Sequence, residues 1–175
     1  MGIAPIFRAR MPSRATPAYN SRMNHASHRP LSAITVAAMI WHDQRFLMVE
    51  ERIDGFIRLN QPAGHVEPGE TLLEAVVREV REETRYTFHP KTLLGIYHSN
   101  PSEGPRILRV AICGSVDPEP DQAPLDPDIL AASFFSIDEI QARGADLRSP
   151  FVQRCIDDFL NGQRFPLAVL NTLTE

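Results

Sequence analysis

Between Gly64 and Tyr86 the chain reads G-HVEPG-E-TLLEAVV-R-E-V-R-E-E-T-R-Y, and no other stretch limits the fold so strongly. Pro68 and Gly69 mark a turn. Thr71 and Glu74 stand at capping-box spacing, which makes Thr71 the expected N-cap of a helix. Leu73, Val76, Val77 and Val80 recur at i, i+3, i+4 and i+7, so that helix has one stripe to bury. At roughly 100° per residue, Glu79, Glu82 and Glu83 fall within an arc of about 100°. Glu74, Arg78, Arg81 and Arg85 cluster on a separate arc, with Glu74 and Arg78 at i,i+4 pairing distance.

Two readings of the acidic face compete on composition alone. One is a solvated helix face laced with ion pairs. The other is a binding site for a hard divalent cation, which takes oxygen ligands and shares them with substrate phosphates. On the acidic cluster alone the solvated face is the commoner case, but the wider spacing adds a pattern: Gly64, Glu70, Arg78, Glu79, Val80, Glu82 and Glu83 match G-x5-E-x7-R-E-U-x-E-E, where U is aliphatic.

That pattern resembles the signature of the Nudix hydrolases. The resemblance implies an α/β fold, an α/β/α sandwich around a mixed sheet. It implies that Glu79, Glu82, Glu83 and the Gly64 carbonyl hold Mg²⁺, with Mn²⁺ as the alternative. Arg78 would orient the carboxylates, Glu70 would brace the loop against the helix, and Glu79 or Glu82 would serve as base. Arg85 departs from the pattern, which carries glycine there. Either the arginine adopts the left-handed conformation at the helix end, at a cost of about 1–2 kcal/mol, or the helix runs on toward Phe88, His89 and Pro90.

A chain of 175 residues suits one domain, here from residue 31 to 175. Residues 1–30 carry five arginines, four prolines and no acid, and read as a basic disordered extension. A start site at Met23 or an organelle-targeting peptide would account for the same composition. Thirteen basic and twenty-two acidic residues follow, a charge of −9 that argues against a nucleic-acid polymer as partner. No apolar run is long enough for a membrane span, so no membrane partner is expected. Cys113 and Cys155 form no metal or disulfide pattern, which suits a cytoplasmic protein; a monomer or homodimer is expected.

Strands are expected over Ala33–Trp41 and Arg45–Glu51, joined at His42, Asp43 and Gln44. Further strands are expected at Thr92–His98, Ile107–Val116 and Ala131–Phe135. Ser136 and Glu139 repeat the capping-box spacing before a short helix, and Phe151–Leu160 closes the fold as a helix ended near Asn161 and Gly162. Segments flanking the signature, Asn60–His65, Leu147–Pro150 and Gly162–Leu167, resemble a phosphatase subgroup of the family. Its members release orthophosphate from nucleoside di- and triphosphates and from hydroxymethylpyrimidine diphosphate. A small phosphorylated molecule is therefore the expected partner. Asn60, Gln61 and His65 are candidate contacts to it, and Trp41 and Phe135 (with Phe134) are candidates for stacking on its ring. Each has a structural alternative, as turn residue or core aromatic. Arg148 and Arg164 are read as structural, with a phosphate contact by either as the alternative. Other specificities stay open (nucleotide housecleaning, dinucleoside polyphosphates, RNA ends), as does a catalytically silent ligand sensor.

Overall fold

One strand organises the molecule. β1 (Ser32–His42) alternates its side chains between two cores: Val36, Ala38 and Ile40 enter one, Ala37 and Met39 the other. In the computed structural model, which describes residues 32–102 and 104–173, β1 is central to the sheet. It pairs with β4 (Ala63–His65) on one side and runs parallel to β6 (Arg106–Val116) on the other. β5 (Phe88–Ser99) completes this mixed sheet, antiparallel to β6. At its far end β1 turns through Asp43 and Gln44, both with positive φ, into β2 (Arg45–Ile53). A two-residue loop of that kind matches the twist of the strands it joins. β2 then leaves β1 and pairs with β3 (Phe56–Asn60) and β7 (Ile129–Ser136) in an antiparallel sheet. The basic extension expected over residues 1–30 lies outside the described residues.

Helix α1 (Leu72–Thr84) covers one face, where Ala75, Val76 and Val80 pack on Val36, Ala38 and Ile40. Full burial of each valine stabilises the fold by about 1.5–3 kcal/mol. The other face carries α3 (Pro150–Leu160) through Val152, Cys155 and Ile156, and α2 (Ile137–Ala142) through Ile140. The result is the α/β/α arrangement expected, with the sheet branched at β1. Both cysteines are buried and free. Among the described residues no helix is long and apolar enough to cross a membrane.

Local chemistry explains the ends of these elements. Thr71 and Glu74 form the reciprocal capping box, as do Ser136 and Glu139. Glu74 is thereby committed to the Thr71 backbone N–H, and the expected Glu74–Arg78 pair does not form. Arg85 ends α1 in the left-handed region (φ 66°) and donates its N–H to Arg81 O at 2.8 Å, so the helix does not run on toward Pro90. Two strands, β3 and β4, go beyond what the hydrophobic pattern predicts. The hairpin between β2 and β3 turns at Asp54 and Gly55, both with positive φ, and that Asp-Gly pair is its one sequence signal.

Arg85→Gly removes the left-handed penalty of a side chain. Unfolding in urea is expected to shift to a higher midpoint, by about 0.5–1 kcal/mol after the entropy of glycine is counted. An unchanged midpoint would mean that the arginine side chain offsets its own strain.

Candidate metal centre

The turn before α1 and the helix itself are tied by one guanidinium. Arg78 grips Glu70 with both edges of its fork, Nε to Oε2 at 3.0 Å and Nη2 to Oε1 at 2.7 Å. Its Nη1 donates to Glu79 Oε1 at 2.8 Å and to Glu82 Oε2 at 3.0 Å, and Nη2 also reaches His65 O at 3.0 Å. Charge-assisted, bidentate bonds of this kind are the strong ones. Glu70 in turn accepts from Glu67 N at 2.7 Å, which closes the loop on itself. These partners hold Arg78 firmly in its charged form and draw the Glu70 carboxyl below its usual range.

The carboxylates sit in graded environments. Glu83 is only 8% exposed and accepts from Ala63 N at 2.9 Å, so it is locked to β4. Burial pushes its pKa up to about 9, with the charges of Glu79, Glu51 and Asp126 adding to the rise. Burial also raises Glu79, against the pull of Arg78. Glu82 faces solvent, its side chain 48% exposed. Gly64 stands where it does because any Cβ there would overlap the Glu79 carboxyl group.

The residues fit a divalent cation. Two desolvated carboxylates, a third at the surface and a backbone approached at Gly64 without a side chain make an all-oxygen donor set. Among the described residues no three acidic, His or Cys side chains converge tightly enough to cage an ion unaided. A hard cation that keeps water and shares its shell with substrate phosphates does not need such a cage.

The structure divides the other candidate residues. Asn60 and Gln61 are both buried, and Gln61 Nε2 donates to Val152 O at 2.9 Å, tying the end of β3 to α3. His65 is exposed at the end of β4, directly opposite Thr35 and next to Gly64. Trp41 is placed elsewhere. It sits five residues along β1 from Val36, the partner of Gly64, which is about 17 Å of strand. There it stacks edge-on with Phe46, 4.4 Å between centroids, and beside Phe159. Phe135 belongs to the same core cluster and Phe134 packs on Tyr86. Trp41 and Phe135 are partly buried and pack against a hydrophobic cluster at the hairpin end. Arg148 lies 3.5 Å from Glu51, and Arg164 covers the Phe159 ring and donates to Phe159 O. Arg109 carries no signal in the sequence pattern. It is buried on β6 opposite Thr35, and only the strand register reveals its place.

Comparison with known proteins gives the family. The NUDIX domain family model matches residues 31–155, and the chain belongs to the Nudix family, whose members are hydrolases. More narrowly, it is 35% identical over 137 residues to the Phosphatase NudJ of Escherichia coli (strain K12), covering 78% of this chain and 89% of that protein. The Phosphatase NudJ of Shigella boydii serotype 4 matches equally. A solved NUDIX hydrolase from Nitrosomonas europaea is 46% identical and superposes with a TM-score of 0.78 over 82% of this chain and 98% of its own. A MutT protein from Methanosarcina mazei Go1, 23% identical with a TM-score of 0.62 over 77% of this chain and 98% of its own, shares the fold.

The raised Glu83 pKa has a sign that can be measured. Folded protein keeps the proton up to about pH 9, whereas the unfolded chain releases it near 4.5. In chelator, thermal stability is therefore expected to fall as pH rises from 5 to about 9. Glu83→Gln should flatten that fall, and Mg²⁺ should stabilise the wild type more at the alkaline end. A wild-type curve flat across this window would contradict the buried acid.

Proposed function

We propose that this chain is a Mg²⁺-dependent phosphatase of small organic diphosphates and triphosphates that releases orthophosphate. The observation that carries the reading is the Arg78 fork, which binds Glu70, Glu79, Glu82 and the His65 carbonyl into one unit beside Gly64. Glu79, Glu82, Glu83 and the Gly64 carbonyl are the ligands, and Mn²⁺ is the alternative ion. When bound, the cation neutralises phosphoryl charge and lowers the pKa of a coordinated water.

The protein's own part is positional. Arg78 keeps two carboxylates from drifting apart, and Glu83 anchors the third to β4 through Ala63 N. Water attacks the terminal phosphorus, the anhydride P–O bond breaks, and orthophosphate leaves. The water's proton passes to Glu79 or Glu82, the two carboxylates that Arg78 holds. Nucleoside di- and triphosphates and hydroxymethylpyrimidine diphosphate are the substrates, a reading supported by similarity to the NudJ phosphatases over 89% of their length. The enzyme acts in the cytoplasm as a monomer or homodimer. Its carboxylates are all in place, which argues against a silent sensor.

Purified protein with Mg²⁺ is expected to release orthophosphate from these substrates. Glu82→Gln should lower kcat by about a hundredfold or more while the thermal midpoint holds. Pyrophosphate as the product from a triphosphate would move the enzyme to another specificity within the family. Full activity in the variant would remove Glu82 from the metal centre.

A further inference from the structure

At the end of the sheet away from Gly64 lies a cavity whose lining the metal centre does not use. It measures about 200 Å³ and sits where His42 ends β1, Asp117 follows β6, Phe134 projects from β7 and Tyr86 comes after the last turn of α1. Buried Ile40 lines it as well. Val36, the partner of Gly64, is four residues from Ile40 and six from His42, so about 13–20 Å of strand separates the cavity from the metal loop. Pockets for nucleotides and ligands of that size run from roughly 300 to 1,000 Å³. This one admits only a small group.

The rings set its shape. Tyr86 meets Phe134 at an interplanar angle of 70°, with centroids 6.2 Å apart. His42 tilts against the same ring at 58° and 6.0 Å. Parallel rings would make a slot for a flat ligand, whereas rings at steep angles enclose a rounded space. An aromatic ring is negative over its face, so a rounded space among rings suits a compact cation.

Charge agrees with shape. Among the described residues that line the cavity, Asp117 is the one acid. Its Oδ1 lies 2.8 Å from His89 Nε2, which holds the carboxylate at the rim. The other basic groups nearby have acids of their own. His42 lies 3.3 Å from Asp43, and Arg45, which donates to Phe134 O at 3.0 Å, pairs with Glu139 at 2.8 Å. Beyond residue 30 the chain carries thirteen basic and twenty-two acidic residues, so the field of the whole domain also favours a positive ligand.

We propose that this cavity binds a small organic cation, a methylated or otherwise substituted ammonium of about the size of choline, at a site separate from the phosphatase centre. Phe134 and Tyr86 contact the cationic head, and Asp117 neutralises it. The ligand bridges the end of α1 to β7, so its binding stabilises the fold.

Choline is the probe, and 3,3-dimethylbutan-1-ol is its uncharged match in shape. Calorimetric titration of the full-length protein is expected to show choline binding about tenfold tighter than the alcohol, with a matching rise in thermal midpoint. Asp117→Asn, at an exposed position, should weaken choline about two- to fivefold and leave the alcohol unchanged. Phe134→Leu should weaken choline about three- to tenfold and the alcohol less. Should Phe134→Leu not fold, Asp117→Asn decides the matter. Choline should bind equally with and without Mg²⁺. Equal affinity for choline and the alcohol would make the space a plain apolar hole and overturn the proposal. So would no measurable binding of choline, or an affinity that Asp117→Asn leaves untouched. A choline signal that Mg²⁺ abolishes would place the cation among the carboxylates of α1 and overturn it as well.

Discussion

The Arg78 guanidinium is the interaction on which the site depends. Glu79 and Glu82 on one helix face repel each other, a repulsion that a cation between them offsets. Arg78 supplies that cation permanently, at i+1 and i+4 distance, and spends its remaining donors on Glu70 and the His65 carbonyl. Loop and helix are thus fixed relative to each other by the protein's own side chains. Such pre-arrangement is what electrostatic catalysis requires, since the groups need not reorganise as charge develops.

Burial supplies the second constraint. Glu83 is desolvated by the same packing of α1 on β4 that sets its distance from Gly64. The helix end is held from outside as well. Asp126 N donates to Glu82 O at 2.9 Å and Asp121 N to Arg85 O at 2.8 Å, so the proline-rich segment after β6 caps carbonyls that α1 leaves open. Arg81 adds an ion pair to Asp121 at 3.1 Å, exposed and of small energetic weight. A segment without regular structure therefore helps to hold the carboxylates in register.

Much of this is legible in the sequence because it is local. Thr71, Glu74 and the Leu73–Val80 stripe define α1 from spacing alone, and Glu70 sits at a fixed distance that the fork explains. What escapes the pattern is decided by competition or by distance in space. Glu74 has two partners at helical spacing, and the capping box wins because it answers an orphan backbone donor. β4 is three residues long, too short for any alternation to show. Trp41 and Phe135 have the chemistry of ring-binding aromatics, and only the strand register puts them at the hairpin end, far from Gly64. Arg109 cannot be singled out among eighteen basic residues without knowing which strand lies beside β1.

β1 and β2 pair at Trp41–Phe46 and His42–Arg45, and beyond those two pairs the strands part into separate sheets. The two leaves meet again at the other end, where Gln61 and Pro62 carry β3 into β4, Pro62 O accepts from Ala38 N at 2.8 Å and Gln61 ties to α3. Thr35 and Val36 lie six or seven residues from His42, about 20–23 Å along the strand. The aromatic cluster of Trp41, Phe46 and Phe159 closes the seam at one end, and Gly64 lies near the crossing that closes the other. A loop set where two sheets are stitched together inherits its position from both, so no single strand has to carry it.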